Sequence, residues 1–212
     1  MKLKLIQFFL IIGLILGGAG VFYYYYPQIW GEVFYPLEYK DEILKASEEN
    51  NLPRNFICAV IFTESHFNLN AKSSTGASGL MQLMPGTARG VAARIGMTDY
   101  TDAKIFDPAV NIRLGSAYIK AYYDLYNKNI DAILMAYNAG PAYSGRFVQD
   151  GNRNAIPRET DGFIRKVRAS WEAYDRIYGS EWQGPMKSVQ KTESETFIEK
   201  IDIFNLLDLL KK

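Results

Sequence analysis

The stretch from Pro53 to Pro85 reads PRNFICAVIFTESHFNLNAKSSTGASGLMQLMP, and it predicts both the core and the chemistry of the chain. Ile57, Val60 and Ile61 recur at helical spacing, and Glu64 continues the same apolar stripe. The remaining residues of this segment are mostly apolar as well, which indicates a central, buried helix. A loop rich in Ser, Thr and Gly follows, and then a short apolar segment that contains Gln82. We therefore expect a buried helix that ends on a carboxylate facing a polar loop.

A carboxyl group that continues an apolar stripe should have a raised pKa, because burial disfavours its ionised form. An acid that stays protonated near neutral pH can donate a proton to a leaving group, as in glycoside hydrolysis. The competing interpretation is that Glu64 simply reaches from the helix end into solvent. Spacing alone leaves both interpretations open.

The composition excludes several other kinds of chemistry. The 212 residues have a formal net charge of +1, which gives no reason to expect nucleic acid as a partner. The single cysteine, Cys58, permits no intramolecular disulfide and is best explained as a small core residue. The single histidine, His66, argues against a His-rich metal site or a Ser/His/Asp triad elsewhere. We expect neither a metal nor a cofactor.

Residues 5–26 form an almost wholly apolar run that is long enough, at about 33 Å as a helix, to cross a bilayer. Lys2 and Lys4 precede it, so the positive-inside rule places residues 1–4 in the cytoplasm and the rest of the chain outside. A cleaved signal peptide is the alternative, with a small-residue site near Ala19. The apolar run continues beyond that site, which favours a single-pass anchor in the cytoplasmic membrane.

The rest of the chain predicts a mainly α-helical protein without a sheet. Residues 27–37 are interpreted as a juxtamembrane connector, 38–180 as the domain and 181–196 as a polar linker. Asp107 and Asn129 are expected to cap two helices. Residues 197–212 have an amphipathic pattern that predicts a C-terminal helix. The predicted helices of the domain are 38–50, 53–64, 87–95, 108–126, 130–138 and 159–178.

Three further positions raise the same question as Glu64. Gln82 and Asn111 are amides in apolar surroundings, and each either bonds to protein backbone or lines a cleft that binds sugars. Tyr137 lies at a helix end beside small residues, where it either packs against a neighbour or approaches a ligand. The residues alone do not decide between these interpretations.

Five motifs in order give the chain a specific resemblance. It resembles the soluble lytic transglycosylase family in Glu64-Ser65 and in four longer segments. These are GASGLMQLMPGTA (Gly76–Ala88), FDPAVNIRLGSAYI (Phe106–Ile119), AYNAGP (Ala136–Pro141) and IPRETDGF (Ile156–Phe163). The resemblance implies a lysozyme-like domain that cleaves peptidoglycan between N-acetylmuramic acid and N-acetylglucosamine.

The same resemblance implies roles for individual residues. Glu64 matches the family's sole catalytic acid, and Asn111 matches a motif that braces the site. Phe163 stands where many relatives have a tyrosine, which implies a changed sugar contact. The positions that match substrate-binding residues are Ser73, Gln82, Met84, Asn111, Tyr137 and Glu159.

The implied mechanism needs one carboxylate and yields a 1,6-anhydro-muramic acid product. One alternative is a hydrolytic muramidase, which needs a second carboxylate to position water. Another is a membrane-tethered scaffold that binds glycan without cleaving it. The candidates for a second carboxylate are Asp99, Asp102, Asp150 and Asp161.

Overall fold

The structure is a computed structural model that describes residues 2–153 and 156–182, with side chains for 7–24, 31–153, 156–179 and 182. The prediction of a mainly α-helical protein is confirmed, since the described residues contain no strand beyond two isolated bridges in one loop. A short 3₁₀ helix spans Asp102–Phe106. The α-helices are α1 (Lys2–Phe34), α2 (Lys40–Asn50), α3 (Arg54–Ser65), α4 (Pro85–Arg94), α5 (Pro108–Leu125), α6 (Ile130–Ala139), α7 (Pro141–Asp150) and α8 (Arg158–Trp182).

Helix α3 is the centre of the fold. Its residues 56–61 have no solvent exposure, and the helix packs mainly along α8. The Phe56 ring lies 4.7 Å from the Trp171 ring of α8, measured between centroids. Since α3 is enclosed along most of its length, its last turn is held rigidly with respect to the surrounding helices.

Side-chain caps start helices α5 and α6 at the residues that the sequence predicts. The Asp107 side chain accepts a hydrogen bond from the Val110 amide at 3.0 Å, which starts α5. Asn129 accepts one from the Ala132 amide at 3.2 Å, which starts α6. Gly140 ends α6 with a φ of 93°, a backbone conformation that favours glycine.

The structure differs from the sequence-based expectation in two segments. Helix α1 continues to Phe34, so most of the expected connector at 27–37 is helical. Its end packs on α8, where Gly31 lies against Ile177 and the Tyr178 hydroxyl donates to the Tyr35 carbonyl at 2.7 Å. The second segment is α7, which none of the predicted helices covers. The expected linker and C-terminal helix lie outside the described residues, except for residues 181 and 182, which end α8.

Helix α1 contains the one candidate membrane span among the described residues. Residues Gln7–Tyr24 are long and apolar enough to cross a bilayer, and none of their side chains is buried in the protein. Exposed Phe, Leu and Ile side chains cover this segment, whereas apolar side chains of the helical domain are largely enclosed. A long, exposed apolar helix near the N-terminus is the pattern shared by membrane anchors and signal sequences.

Candidate active site

Glu64 lies in the last turn of α3, where the buried helix meets the surface of the domain. Its side chain is half-buried, and this burial raises the pKa of its carboxyl group to about 8. Desolvation is the sole cause of this rise, and among the described residues the carboxylate has no hydrogen bond or ion pair that would offset the cost of ionisation. Glu64 is therefore largely protonated at neutral pH and is able to donate a proton.

The neighbouring Ser65 ties the end of α3 to the loop that follows it. Its hydroxyl oxygen lies 2.8 Å from the Leu80 carbonyl oxygen and 3.1 Å from that of Ile61. His66 then leaves the helix with a φ of 51°. The chain thus turns immediately after Glu64, and Leu80 brings it back beside the end of α3.

The loop at 71–83 is closed by its own polar groups. The Ser73 amide donates to the Ala77 carbonyl, and the Ala77 amide donates to the Ser73 hydroxyl, both at 2.9 Å. Gln82 adopts a left-handed φ of 44°, and its side-chain Nε2 donates to the carbonyls of Ala71 and Gly79. Ser73 and Gln82 therefore both shape the loop, and the Gln82 Oε1 remains as an acceptor.

Asn111 occupies the interior beneath this loop. Its Nδ2 donates to the carbonyls of Ser78 and Ile105, and its Oδ1 accepts from the Met81 amide at 2.7 Å. The side chain has no solvent exposure. Asn111 thus braces the loop, as the motif implied, and we withdraw it from the residues expected to touch substrate.

Tyr137 comes from the end of α6 and lies between Glu64 and the loop. Its hydroxyl donates to the Met81 carbonyl at 2.6 Å. Burial raises the pKa of Tyr137 well above its ordinary value, and the nearby charge of Glu64 raises it further. The phenol therefore stays neutral and lies within electrostatic reach of the acid.

Phe163 contacts the ring of Tyr137 from inside the protein. The two rings stack with centroids 6.4 Å apart and planes inclined by 8°. Phe163 is 8% exposed and packs against Tyr137, and the changed sugar contact expected from the missing tyrosine hydroxyl stays a prediction. Tyr118 was not among the predicted site residues, yet its ring lies 5.5 Å from the Tyr137 ring.

The remaining predicted residues lie at the surface. Met84 precedes α4 and is 43% exposed. Glu159 is exposed in the first turn of α8, and the described residues offer its carboxylate no hydrogen bond or ion pair. The next residue, Thr160, donates to Asn138 Oδ1 at 2.8 Å, which joins the start of α8 to the end of α6.

The candidates for a second carboxylate are engaged locally. Asp99 pairs with Lys104, and Asp102 pairs with Arg89. Asp161 pairs with Arg165 at 3.0 Å, and Asp150 accepts from the Asn152 amide at 2.9 Å. No group of three or more His, Cys, Asp or Glu side chains among the described residues could hold a metal ion.

Comparison with known proteins matches most of the helical domain that contains these residues. The model of the transglycosylase SLT domain family matches residues 41–156, more than half of the chain. The soluble lytic murein transglycosylase of Escherichia coli K12 is 32% identical over 163 residues, covering 71% of this chain but 25% of that protein. The chain thus spans about a quarter of this relative's length. Membrane-bound lytic murein transglycosylase C of Shigella sonnei is 34% identical over 112 residues, or 49% of this chain and 31% of that protein.

Solved structures agree with the sequence comparison. The 70 kDa soluble lytic transglycosylase of Escherichia coli superimposes with a TM-score of 0.67 at 29% identity, over 77% of this chain and 28% of that one. The lytic transglycosylase Slt of Pseudomonas aeruginosa, solved as an inactive Glu→Gln mutant, gives a TM-score of 0.63 at 27% identity, over 70% and 26% of the two chains.

Proposed function

Because the chain belongs to the transglycosylase SLT domain family, we propose that it is a lytic transglycosylase of murein with Glu64 as its catalytic acid. Its helical domain has the lysozyme-like transglycosylase fold of the solved relatives. The observation on which the proposal rests is the half-buried Glu64, whose pKa of about 8 keeps it protonated at the end of the central helix. That a Glu→Gln mutant of the Pseudomonas neighbour is inactive supports a glutamate as the essential group.

Glu64 would act first as an acid and then as a base. It protonates the glycosidic oxygen between N-acetylmuramic acid and N-acetylglucosamine, while the N-acetyl group of the substrate stabilises the positive anomeric carbon. The ionised Glu64 then removes the proton from the C6 hydroxyl of the muramic acid, whose oxygen bonds to C1. The products are a 1,6-anhydro-muramic acid end and a free N-acetylglucosamine hydroxyl, and Glu64 regains its proton.

Groove contacts would come from the polar residues around the acid. The exposed Met84 and the Oε1 acceptor of Gln82 belong to the loop, and the Tyr137 hydroxyl bonds to the same loop from α6. We assign Ser73 to the same side of the groove, because its hydrogen bond to the Ala77 amide shapes the loop. Glu159 is proposed as a polar contact at the edge of the groove because its carboxylate is exposed.

Membrane anchoring by α1 forms part of the proposal. The exposed apolar span Gln7–Tyr24 supports it, as does the membrane-bound relative from Shigella. Lys2 and Lys4 favour a cytoplasmic N-terminus, which places the domain on the outer side, where murein lies. A cleaved signal peptide is excluded if the mature membrane protein keeps its N-terminal sequence.

The decisive experiment is digestion of purified sacculi by the full chain in detergent, with mass spectrometry of the products. We expect anhydro-muramic acid ends from the wild type and no products from Glu64→Gln. Glu172→Gln removes an exposed carboxylate from α8 and should leave digestion unchanged. Reducing muramic acid ends would instead indicate a hydrolytic muramidase. Binding of sacculi without products would indicate a scaffold.

A further inference from the structure

A row of tyrosines leads away from the site along α5. Tyr118 and Tyr122, together with Tyr126 at the helix end, are spaced by four residues and therefore share one face over about 12 Å. The ring centroids of the first pair lie 4.9 Å apart and those of the second pair 6.0 Å apart. Since Tyr118 also touches Tyr137, the row is continuous with the acid site.

The three tyrosines lie at the protein surface and are not enclosed in the core. All three tyrosines are only half-buried, whereas Ile112 and Ile119 on another face of α5 have no exposure. The Tyr122 hydroxyl donates to the Tyr118 hydroxyl at 2.9 Å, and the Tyr126 hydroxyl lies 2.7 Å from the buried Ser144 hydroxyl. These bonds hold the rings in place, so sugar binding would require little ordering of side chains.

A row of fixed, partly exposed aromatic rings with hydroxyls suits a carbohydrate polymer. The Tyr122 and Tyr126 rings stack with planes inclined by 12°, so a sugar would pack on their exposed edges and outer faces. The phenol oxygens can also accept hydrogen bonds from sugar hydroxyls. Burial and the Tyr118 hydroxyl raise the pKa of Tyr122, so the Tyr122 phenol stays uncharged at physiological pH. A nucleic acid would need cations along the row, but among the described residues Arg94 is the one cation whose charge affects the pKa of Tyr122.

We propose that Tyr122 and Tyr126 form an accessory binding surface for the glycan strand beyond the sugars held next to Glu64. This rests on the proposed function, because the strand must lie in the groove at Glu64 in order to reach the row. Occupation of this surface would strengthen the binding of long strands. A substrate too short to extend past Tyr118 would gain nothing from it.

The test compares long glycan strands with a tetrasaccharide as substrates of the full chain. Tyr122→Leu keeps an apolar side chain but removes the ring, and it should lower kcat/KM on long strands by roughly three- to tenfold. The tetrasaccharide should be cleaved as by the wild type. Tyr122→Phe keeps the ring and should retain most activity on both. Leu125→Ala, an exposed residue outside the row on the same helix, is the matched control.

The outcomes separate this proposal from the one that it rests on. An equal loss on both substrates, or no loss on either, would overturn the accessory surface while the wild type still forms anhydro products. If Tyr122→Leu does not fold, Tyr126→Leu provides the same comparison at the far end of the row. Absence of anhydro products from the wild type would instead reject the proposed function.

Discussion

The hydroxyl of Tyr137 donates a hydrogen bond of 2.6 Å to the backbone carbonyl of Met81. The amide of the same residue donates to Asn111 Oδ1 at 2.7 Å. Both backbone polar groups of Met81 are thus held by side chains from helices α5 and α6. The loop that faces Glu64 takes its position from these two helices and not from its own turn residues alone.

Replacement of Tyr137 by Phe should loosen this arrangement. The Met81 carbonyl loses a buried partner, so we expect the free energy of unfolding to fall by about 1–2 kcal/mol. We also expect kcat/KM on sacculi to fall at least several-fold, because the loop shifts relative to Glu64. Thermal unfolding and turnover of the full chain in detergent measure the two effects. Tyr143→Phe, at a half-buried tyrosine of α7, is the control, and equal behaviour of the two variants would contradict the assignment.

The pH dependence of catalysis should report Glu64. In the proposed mechanism its protonated form is the proton donor, and its pKa is about 8. We therefore expect kcat/KM to be maintained up to about pH 7 and to decrease above pH 8. Initial rates on soluble glycan strands across this range would show the decline. A decline centred near pH 4.5 would mean that the carboxyl is not desolvated as the structure indicates.

The burial of Glu64 should also lower stability at neutral pH. Its pKa is raised on folding, so between pH 4.5 and 8 the unfolded chain releases a proton that the folded protein retains. The stability of the wild type therefore falls across this range. Glu64→Gln does not titrate, so it should be more stable by roughly 1–3 kcal/mol at pH 8 and lose this advantage below pH 4.5.

Thermal unfolding of both proteins at pH 4 and pH 8 would test this expectation. Glu172→Gln serves again as the control, since its carboxylate is exposed. A stability difference between wild type and Glu64→Gln that does not change with pH would contradict the linkage. A buried functional group commonly lowers the stability of the folded protein, so its replacement commonly raises that stability.

Two glycines of the loop at 71–83 allow a matched comparison of alanine substitutions. Gly76 and Gly79 both have positive φ, at 93° and 78°, so alanine is strained at either position. A Cβ at Gly76 meets no atom within 4 Å, whereas one at Gly79 would lie 2.6 Å from the Ile105 carbonyl oxygen and would also strike the Asn111 side chain.

Gly76→Ala should therefore cost about 1 kcal/mol of unfolding free energy, and Gly79→Ala about 3 kcal/mol or more. Gly79→Ala should also lower activity, because it displaces Asn111 from beneath the loop. Thermal unfolding and digestion of sacculi by the two variants provide the comparison. Similar costs at the two positions would show that Asn111 does not hold the loop as described.

Local signals in the sequence account for much of the fold. Asp107 and Asn129 cap their helices as predicted, because capping involves only the next three residues. Helix α7 was missed because much of its support is tertiary, through the buried Ser144 and its contact with Tyr126 of α5. The continuation of α1 to Phe34 likewise depends on its packing against α8, which is distant in the sequence.

The sequence by itself determined the family, the central helix and the acid at its end, because the motifs and the apolar period are local. Only the tertiary structure decided what each polar residue does. Asn111 and Gln82 looked alike as amides in apolar segments, yet the Asn111 side chain is wholly buried with both amide groups bonded, whereas the half-buried Gln82 bonds through its Nε2. The physical reason is that a side-chain amide bonds to whichever backbone groups the fold places beside it, and those groups come from distant segments.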